Sequence, residues 1–210
     1  MAPLAGAKTC VLTAVFFFGF AHAQGTKVAE GKVTSPDLVS AASLTDKDFC
    51  PLVRGARYEY KGIMGLVTVE IVEAVTGEAT YRQTIQNAIP GGPSVIKSSG
   101  VFRVNDTGLT EIQQAGPRPG SQNVRLRFPL KVGTKWLEPN PNLPGQMFLN
   151  KVAAVGVTVK VPAGVFKNCV RIDHFGSDGR KNYSSWYAPG VGLVKDGVFG
   201  DLLRLSGVGQ

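Results

Sequence analysis

The residues of this chain that could carry chemistry are few and widely spaced. There are two histidines, and only His174 lies beyond the N-terminal region. Asp173 precedes it, and an Asp-His pair with a serine could in principle build a nucleophilic triad. Neighbouring residues of a strand point to opposite faces, so Asp173 cannot orient the His174 ring. No G-x-S-x-G turn is present to present a serine. A partner for His174 would have to come from elsewhere in the fold, and the plainer reading is a strand-end or surface histidine. Metal chemistry fares no better: one histidine and two distant cysteines lack the close-spaced pairs of a zinc site. Asn105-Asp106 and Asp178-Gly179 lack the alternating acids of a calcium loop, and turn chemistry explains both pairs. No catalytic residue, metal ligand or cofactor is therefore expected.

Binding residues can be named more readily. Arg118, Arg125, Arg127, Lys131 and Lys135 follow one another with no acid between them. Arg125 and Arg127 would share a strand face about 6 to 7 Å apart, a spacing that could grip two anionic groups. The alternative is the wet side of a half-buried strand, where such charges are ordinary. Trp136, Trp186 and Tyr187, with Tyr58, could form an aromatic platform for an apolar or amphiphilic small molecule, or they could be the largest pieces of the core. Parity sets Trp186 and Tyr187 on opposite faces of their strand, so one of them should reach a surface, a cavity or a sheet edge. Cys50 and Cys169 could pair as a disulfide closing a loop of about 120 residues. They could equally be two buried thiols, since cysteine behaves as a small hydrophobe.

The N-terminus explains why a disulfide is considered at all. Lys8, the apolar run of residues 11–21 with Phe16, Phe17, Phe18 and Phe20, and then Ala21-His22-Ala23 have the form of a cleavable secretory leader. Cleavage is expected between Ala23 and Gln24. The run is shorter than the roughly 20 apolar residues a membrane-crossing helix needs, and no later segment approaches that length. The leader takes Lys8 and no acid with it, so the formal charge falls from +8 to +7. Nucleic acid is a poor explanation for such a charge in an exported chain, whereas solubility or an anionic envelope component is available.

Residues 24–48 are polar and aperiodic and read as a flexible N-terminal arm, followed by one β domain over residues 49–210. Within that domain, Val67, Val69 and Ile71 alternate with Thr68 and Glu70. Val124, Leu126, Phe128 and Leu130 are set against Arg125, Arg127 and Lys131. Four valines at odd positions of residues 155–161 oppose Gly156, Thr158 and Lys160. Such alternation marks strands with one dry and one wet face. Weaker strands are predicted over residues 57–63, 79–89, 95–105, 109–114, 165–175, 182–188, 192–195 and 199–205. The connections are short: residues 105–108 and 177–179 offer Asn, Asp and Gly, and Pro162 to Gly164 and Pro189-Gly190 set tight reversals. Residues 138–145 contain Pro139, Pro141 and Pro144 and read as a stiff loop, since proline cannot serve an interior strand. About ten strands joined by short turns make an antiparallel meander, which at that size must curl. The expected fold is all-β, a strongly curved sheet or partly closed barrel, with a two-sheet sandwich as the alternative.

One phrase occurs twice. Pro51-Leu52-Val53-Arg54-Gly55-Ala56-Arg57-Tyr58 matches Pro129-Leu130-Lys131-Val132-Gly133-Thr134-Lys135-Trp136, as P-L-x-x-G-x-basic-aromatic. Each copy reads as the start of a strand: proline ends one segment, glycine allows a reversal, and the aromatic anchors the next strand. These phrases, together with V-P-A-G-V-F-K-N-C at residues 161–169 and Y-A-P-G-V-G-L-V-K at residues 187–195, resemble a family of exported bacterial β-proteins labelled TapB-like. The resemblance covers residues 49 to about 205, with Tyr58 where the family pattern has tryptophan. It implies an envelope protein whose half-barrel is similar to lipoprotein carriers and lipocalins, and it brings no catalytic residues.

Fold and compartment together suggest a non-catalytic exported protein, periplasmic or extracellular, holding an apolar or amphiphilic ligand in its curved sheet. The alternatives are an envelope interaction module and a hydrolase with an unrecognised site around His174.

Overall fold

The computed structural model describes residues 44–86, 95–140 and 145–207. The expected leader, its cleavage point at Ala23 and the arm through residue 43 lie outside them, as do residues 141–144 of the proline-rich loop. Among the described residues there are twelve strands: β1 (Arg57–Gly62), β2 (Gly65–Val75), β3 (Glu78–Gln86), β4 (Val95–Asn105), β5 (Gly108–Ala115) and β6 (Gln122–Arg127), then β7 (Lys135–Pro139), β8 (Met147–Val161), β9 (Gly164–Phe175), β10 (Lys181–Ala188), β11 (Gly192–Asp196) and β12 (Gly200–Ser206). They form one antiparallel sheet in the order β6-β5-β4-β3-β2-β1-β12-β11-β10-β9-β8-β7. A single continuous sheet replaces the sandwich alternative.

This order is two six-stranded meanders joined by the β1–β12 pairing. The twice-used phrase opens both. Gly55 and Gly133 have φ of 79° and 97°, a left-handed backbone that favours glycine. Gly55 N–H donates to Ile71 O at 2.8 Å, and Gly133 N–H to Val152 O at 2.9 Å. The return bonds match: Ile71 N–H to Ala56 O at 2.8 Å, and Val152 N–H to Thr134 O at 2.9 Å. Tyr58 and Trp136 then turn into the core. The same eight-residue pattern thus makes the same local structure at the same place in each half.

The two ends of the sheet, β6 and β7, meet without a backbone ladder. Trp136 Nε1–H of β7 donates to Val124 O of β6 at 2.8 Å, and this side-chain bond carries the sheet across the gap into a nearly closed barrel. At the β11–β12 step the pairing is short, with only Lys195↔Asp201 and Asp196↔Gly200 in register. There the tip of the β8–β9 hairpin leans in, and Ala163 N–H donates to Leu202 O at 3.0 Å.

The interior follows the two-residue rhythm read from the sequence. Val67, Val69 and Ile71 are buried as expected, and cross-strand register adds Tyr58, Tyr60 and Tyr81 to their face. A second cluster gathers Leu126, Trp136, Val152, Ile172 and Tyr187. Fully burying one such aliphatic side chain contributes roughly 1.5 to 3 kcal/mol.

Four boundaries differ from expectation. Residues 46–48, read as the end of an arm, belong to a 3-10 turn (Asp46–Phe49), with Phe49 buried and Gly190 N–H donating to Asp48 O at 2.7 Å. Glu138 and Pro139, read as loop, end strand β7; Pro139 is tolerated because β7 lies at the sheet's edge. In β8 three register shifts break the valine alternation, so Val159 and Val161 are buried while Val155 is exposed. Lastly, β6 stops at Arg127 and is bulged: Thr110 opposes Val124, but Leu109 opposes Leu126, leaving Arg125 as the extra residue.

Candidate functional site

That bulge decides where Arg125 goes. Without it, Arg125 would share the outer face with Arg127. With it, Arg125 enters the barrel beside the buried Leu126, while Arg127 stays exposed. The expected two-arginine grip is therefore absent, since the bulge separates the pair onto opposite sides. Inside, Arg125 Nε–H donates to Glu111 Oε2 at 2.7 Å, with an Nη2 contact to the same oxygen. Tyr81 O–H donates to Glu111 Oε1 at 2.6 Å. Tyr81 can lie there because Gly100 faces it across the ladder, and a Cβ on Gly100 would come within 2.9 Å of its ring. Burial works against both charges, but each partner more than offsets this for the other. Glu111 is held below the usual carboxylate range, and Arg125 is raised still further above its ordinary value.

Arg125 is enclosed by the barrel, yet 31% of its side chain remains accessible because it faces a cavity. The cavity measures about 100 Å³. Its walls include the rings of Phe49, Tyr58, Tyr60, Tyr81, Tyr187 and Phe199, and its polar end is formed by Gln83, Glu111 and Arg125. The guanidinium carbon stands 5.9 Å from the centre of the Phe199 ring, within range of a cation–π contact. Tyr60 O–H donates to Leu193 O at 3.0 Å. Burial pushes the Tyr58 hydroxyl up to about 12 and the Tyr187 hydroxyl higher still, so both are neutral donors at physiological pH.

A second polar group lies further round the barrel. Asn150 Nδ2 is 2.7 Å from Glu138 Oε2, His174 Nδ1 is 2.7 Å from Asn150 Oδ1, and His174 Nε2 is 2.8 Å from Ser185 Oγ. Ser185 Oγ is 2.6 Å from Asp196 Oδ2. The Tyr183 ring stacks on the His174 ring at 4.2 Å. A cavity of about 30 Å³ borders Glu138, Asn150, His174 and Tyr183. His174 does lie at the end of β9, as expected, but it is part-buried inside the barrel and not a surface residue. Burial, with Arg125 nearby, lowers it to about 4 against the pull of Asp196 and Asp173, so the ring is neutral near pH 7. Asp173 points the other way, as parity requires, accepting from Ser184 Oγ at 2.7 Å and pairing with Arg171. Ser185 contacts a histidine, but it is 2% exposed and its hydroxyl lies against Asp196, which leaves it no path to a substrate carbonyl in this arrangement.

The aromatic residues divide between the two faces. Trp136 and Tyr187 point inward, Tyr187 into the larger cavity and Trp136 across the β6–β7 seam. Trp186 lies on the opposite face, with Lys195 Nζ 5.8 Å over its ring. Cys50 and Cys169 are free, each buried in a different apolar cluster. Burial, with Asp46 adding to it at Cys50, pushes Cys50 up to about 12, and burial pushes Cys169 up to about 11. Glu111, Glu138, Asn150, Ser185 and Asp196 were not singled out by sequence reasoning. A signal existed for some: Glu111 shares parity with Leu109, and His174 with Val170 and Ile172, so polar residues stood on dry faces.

No protein-family model matches the chain, and no curated protein matches it in sequence. Among solved structures, it is similar to a candidate lipoprotein from Parabacteroides distasonis at 15% identity, over 75% of this chain and 98% of that one, with a TM-score of 0.37. It is also similar to a candidate exported protein with a YmcC-like fold from Bacteroides fragilis at 14% identity, over 74% of this chain and 97% of that one, with a TM-score of 0.41.

Proposed function

We propose that this protein is a non-catalytic, exported β-barrel that holds a small apolar or amphiphilic ligand in its interior. The observation that carries this reading is the about 100 Å³ cavity, aromatic on its walls and polar at one end. Apolar sites with a few convergent polar groups are the usual form of small-molecule pockets. Volume sets the ligand's size. A cavity of about 150 Å³ accommodates the six carbons of benzene, so this one suits about four or five heavy atoms. It is well below the roughly 300 Å³ at which drug-sized sites begin, and a full lipid chain would require the barrel to widen. Arg125 and Glu111 neutralise one another, which favours an uncharged hydrogen-bonding head such as a hydroxyl or carbonyl over a free acid or amine. The leader at residues 1–23 supports export, to the periplasm or beyond. Trp186 and Arg127, on the outer face, drop out of the ligand site, while Trp136, Tyr187 and Arg125 remain.

The test is a calorimetric and NMR titration with butanol, butyrate, butylamine and decanol. Butanol should bind and shift the ring resonances of Tyr58 and Tyr187, with butyrate and butylamine weaker. Affinity that rises steadily to decanol would replace the small-ligand reading with a lipid carrier. No shift with any probe would remove the ligand-binding function.

A further inference from the structure

The chain from Glu138 to Asp196 crosses five neighbouring strands, with one residue from each: Glu138 on β7, Asn150 on β8, His174 on β9, Ser185 on β10 and Asp196 on β11. Its four links measure 2.7, 2.7, 2.8 and 2.6 Å between heavy atoms. At such distances each link needs a hydrogen. The inventory of donors is fixed by the residue types. The Asn150 amide gives a hydrogen to one neighbour and accepts from the other, whichever way it is turned. A neutral imidazole brings one N–H, and the serine brings one O–H. With both carboxylates ionised, three hydrogens must serve four links. One link would then press two acceptors together, which a buried site does not tolerate. A fourth proton must therefore sit on Glu138, His174 or Asp196.

Their surroundings differ. Asp196 accepts from the backbone N–H groups of Val198 and Phe199 through Oδ1, at 2.7 and 2.9 Å, in addition to Ser185 at Oδ2. Three donors thus satisfy that carboxylate, and neither of its oxygens lacks a partner. His174 is stacked on Tyr183 and largely removed from water, which disfavours a cation. Glu138 is different. Its Oε1 is buried and has no hydrogen-bond partner, and Phe148 and Phe175 border the same small cavity. As a carboxylate, Glu138 would have Asn150 at one oxygen and only Arg125 and the nearby Val124 backbone to offset the charge left on its unpartnered one; as an acid, that oxygen is an ordinary carbonyl.

We infer that Glu138 is a carboxylic acid in the folded protein at pH values where a free glutamate is ionised, and that its proton completes the hydrogen-bonded chain. The chain then runs in one direction. Glu138 O–H donates to Asn150 Oδ1, Asn150 Nδ2–H to His174 Nδ1, His174 Nε2–H to Ser185 Oγ, and Ser185 O–H to Asp196. This turns the Asn150 amide over, an exchange of O and N that leaves every distance unchanged. The groups facing Glu138 from around the barrel are Asn150 on β8, His174 on β9, Tyr183 on β10, Glu111 on β5 and Arg125 on β6. Burial is the largest influence on Glu138 and raises it. The Asn150 bond, Arg125 and the Val124 backbone oppose burial without reversing it, and Glu111 adds to it. Losing the proton leaves three hydrogens for four links, so one link opens. Glu138 stands two residues from Trp136, whose ring closes the barrel, so the proton acts as a lock on the β6–β7 seam.

The experiment is nitrogen-15 NMR of the His174 ring in the exported chain, where it is the only histidine, followed from acidic to alkaline pH. The wild type should show a neutral ring protonated at Nε2, and infrared spectra should show a protonated-acid carbonyl band that disappears in Glu138→Gln. Glu138→Gln should keep the Nε2–H form, because a glutamine amide replaces the acid as donor. As pH rises, the wild type should lose the acid band, with faster exchange of the Trp136 indole N–H, while the variant shows no such change. A ring protonated at Nδ1 would place the proton on Asp196 and overturn the inference. An imidazolium at neutral pH would place it on His174, with the same consequence. The wild-type ring state decides the matter even if Glu138→Gln fails to fold.

Discussion

Acidification should weaken this barrel through His174 by an amount that can be worked in advance. In the unfolded chain the ring takes up a proton near 6.5; in the fold, burial lowers that to about 4. The unfolded state therefore binds more protons between those values, and stability decreases as the pH is lowered across that interval. The contribution is fully present above the unfolded value and lost as pH falls towards the folded one. Integrated from about pH 7 to about pH 5, the loss is about 2 kcal/mol, and over the whole interval about 3 kcal/mol. Glu138 works in the opposite sense, because a raised carboxylate gains stability as pH falls through its folded value. The measurement is therefore best made in Glu138→Gln, which retains a donor and removes that titration. Urea unfolding of Glu138→Gln, followed by tryptophan fluorescence at both pH values, is compared with the double variant Glu138→Gln/His174→Gln. The single variant should lose about 2 kcal/mol more than the double one on acidification. Equal losses in the two proteins would show that His174 does not titrate as its buried position requires.

Three other outcomes follow from named contacts. Trp136→Phe keeps a ring in the seam but removes the donor to Val124 O, and should cost about 1 to 3 kcal/mol with faster amide exchange in β6, measured by denaturation and hydrogen exchange. Arg125→Met leaves Glu111 buried beside Tyr81 without its cation and should cost about 3 to 5 kcal/mol; adding Glu111→Gln should recover much of that loss. Cys50 and Cys169 are buried thiols raised to about 12 and about 11, so a thiol reagent should label neither in the native protein and both in denaturant, as read by mass spectrometry.

Most of the architecture could be read from the sequence, because alternation and turn chemistry are local. Val67, Val69 and Ile71 announced their face, and Gly55 and Gly133 their reversals, through residue types alone. Trp136 in the repeated phrase marked the start of β7, but its end was hidden because Pro139 marks a loop by composition, and only the strand's place at the sheet's edge lets Pro139 pair with Met147. The site was harder to read. Arg125 reaches the interior through one extra residue in β6, and a bulge has no signature in that stretch of sequence. The Glu138-to-Asp196 chain joins residues from five strands, so its spacing along the sequence has no motif to recognise. Parity did carry a hint, since His174 shares the dry face of Val170 and Ile172, but a single polar residue at a strand's end reads equally well as exposed.

The central claim is that a small molecule occupies the cavity beside Arg125. Val69 lines that cavity, and Val69→Phe would fill it with a ring while leaving Arg125 and Glu111 in place. Calorimetric titration of butanol into the wild type and Val69→Phe is the most direct test. Saturable binding to the wild type that disappears in the folded variant is the predicted result. Binding of equal strength to both, or to neither, would contradict it.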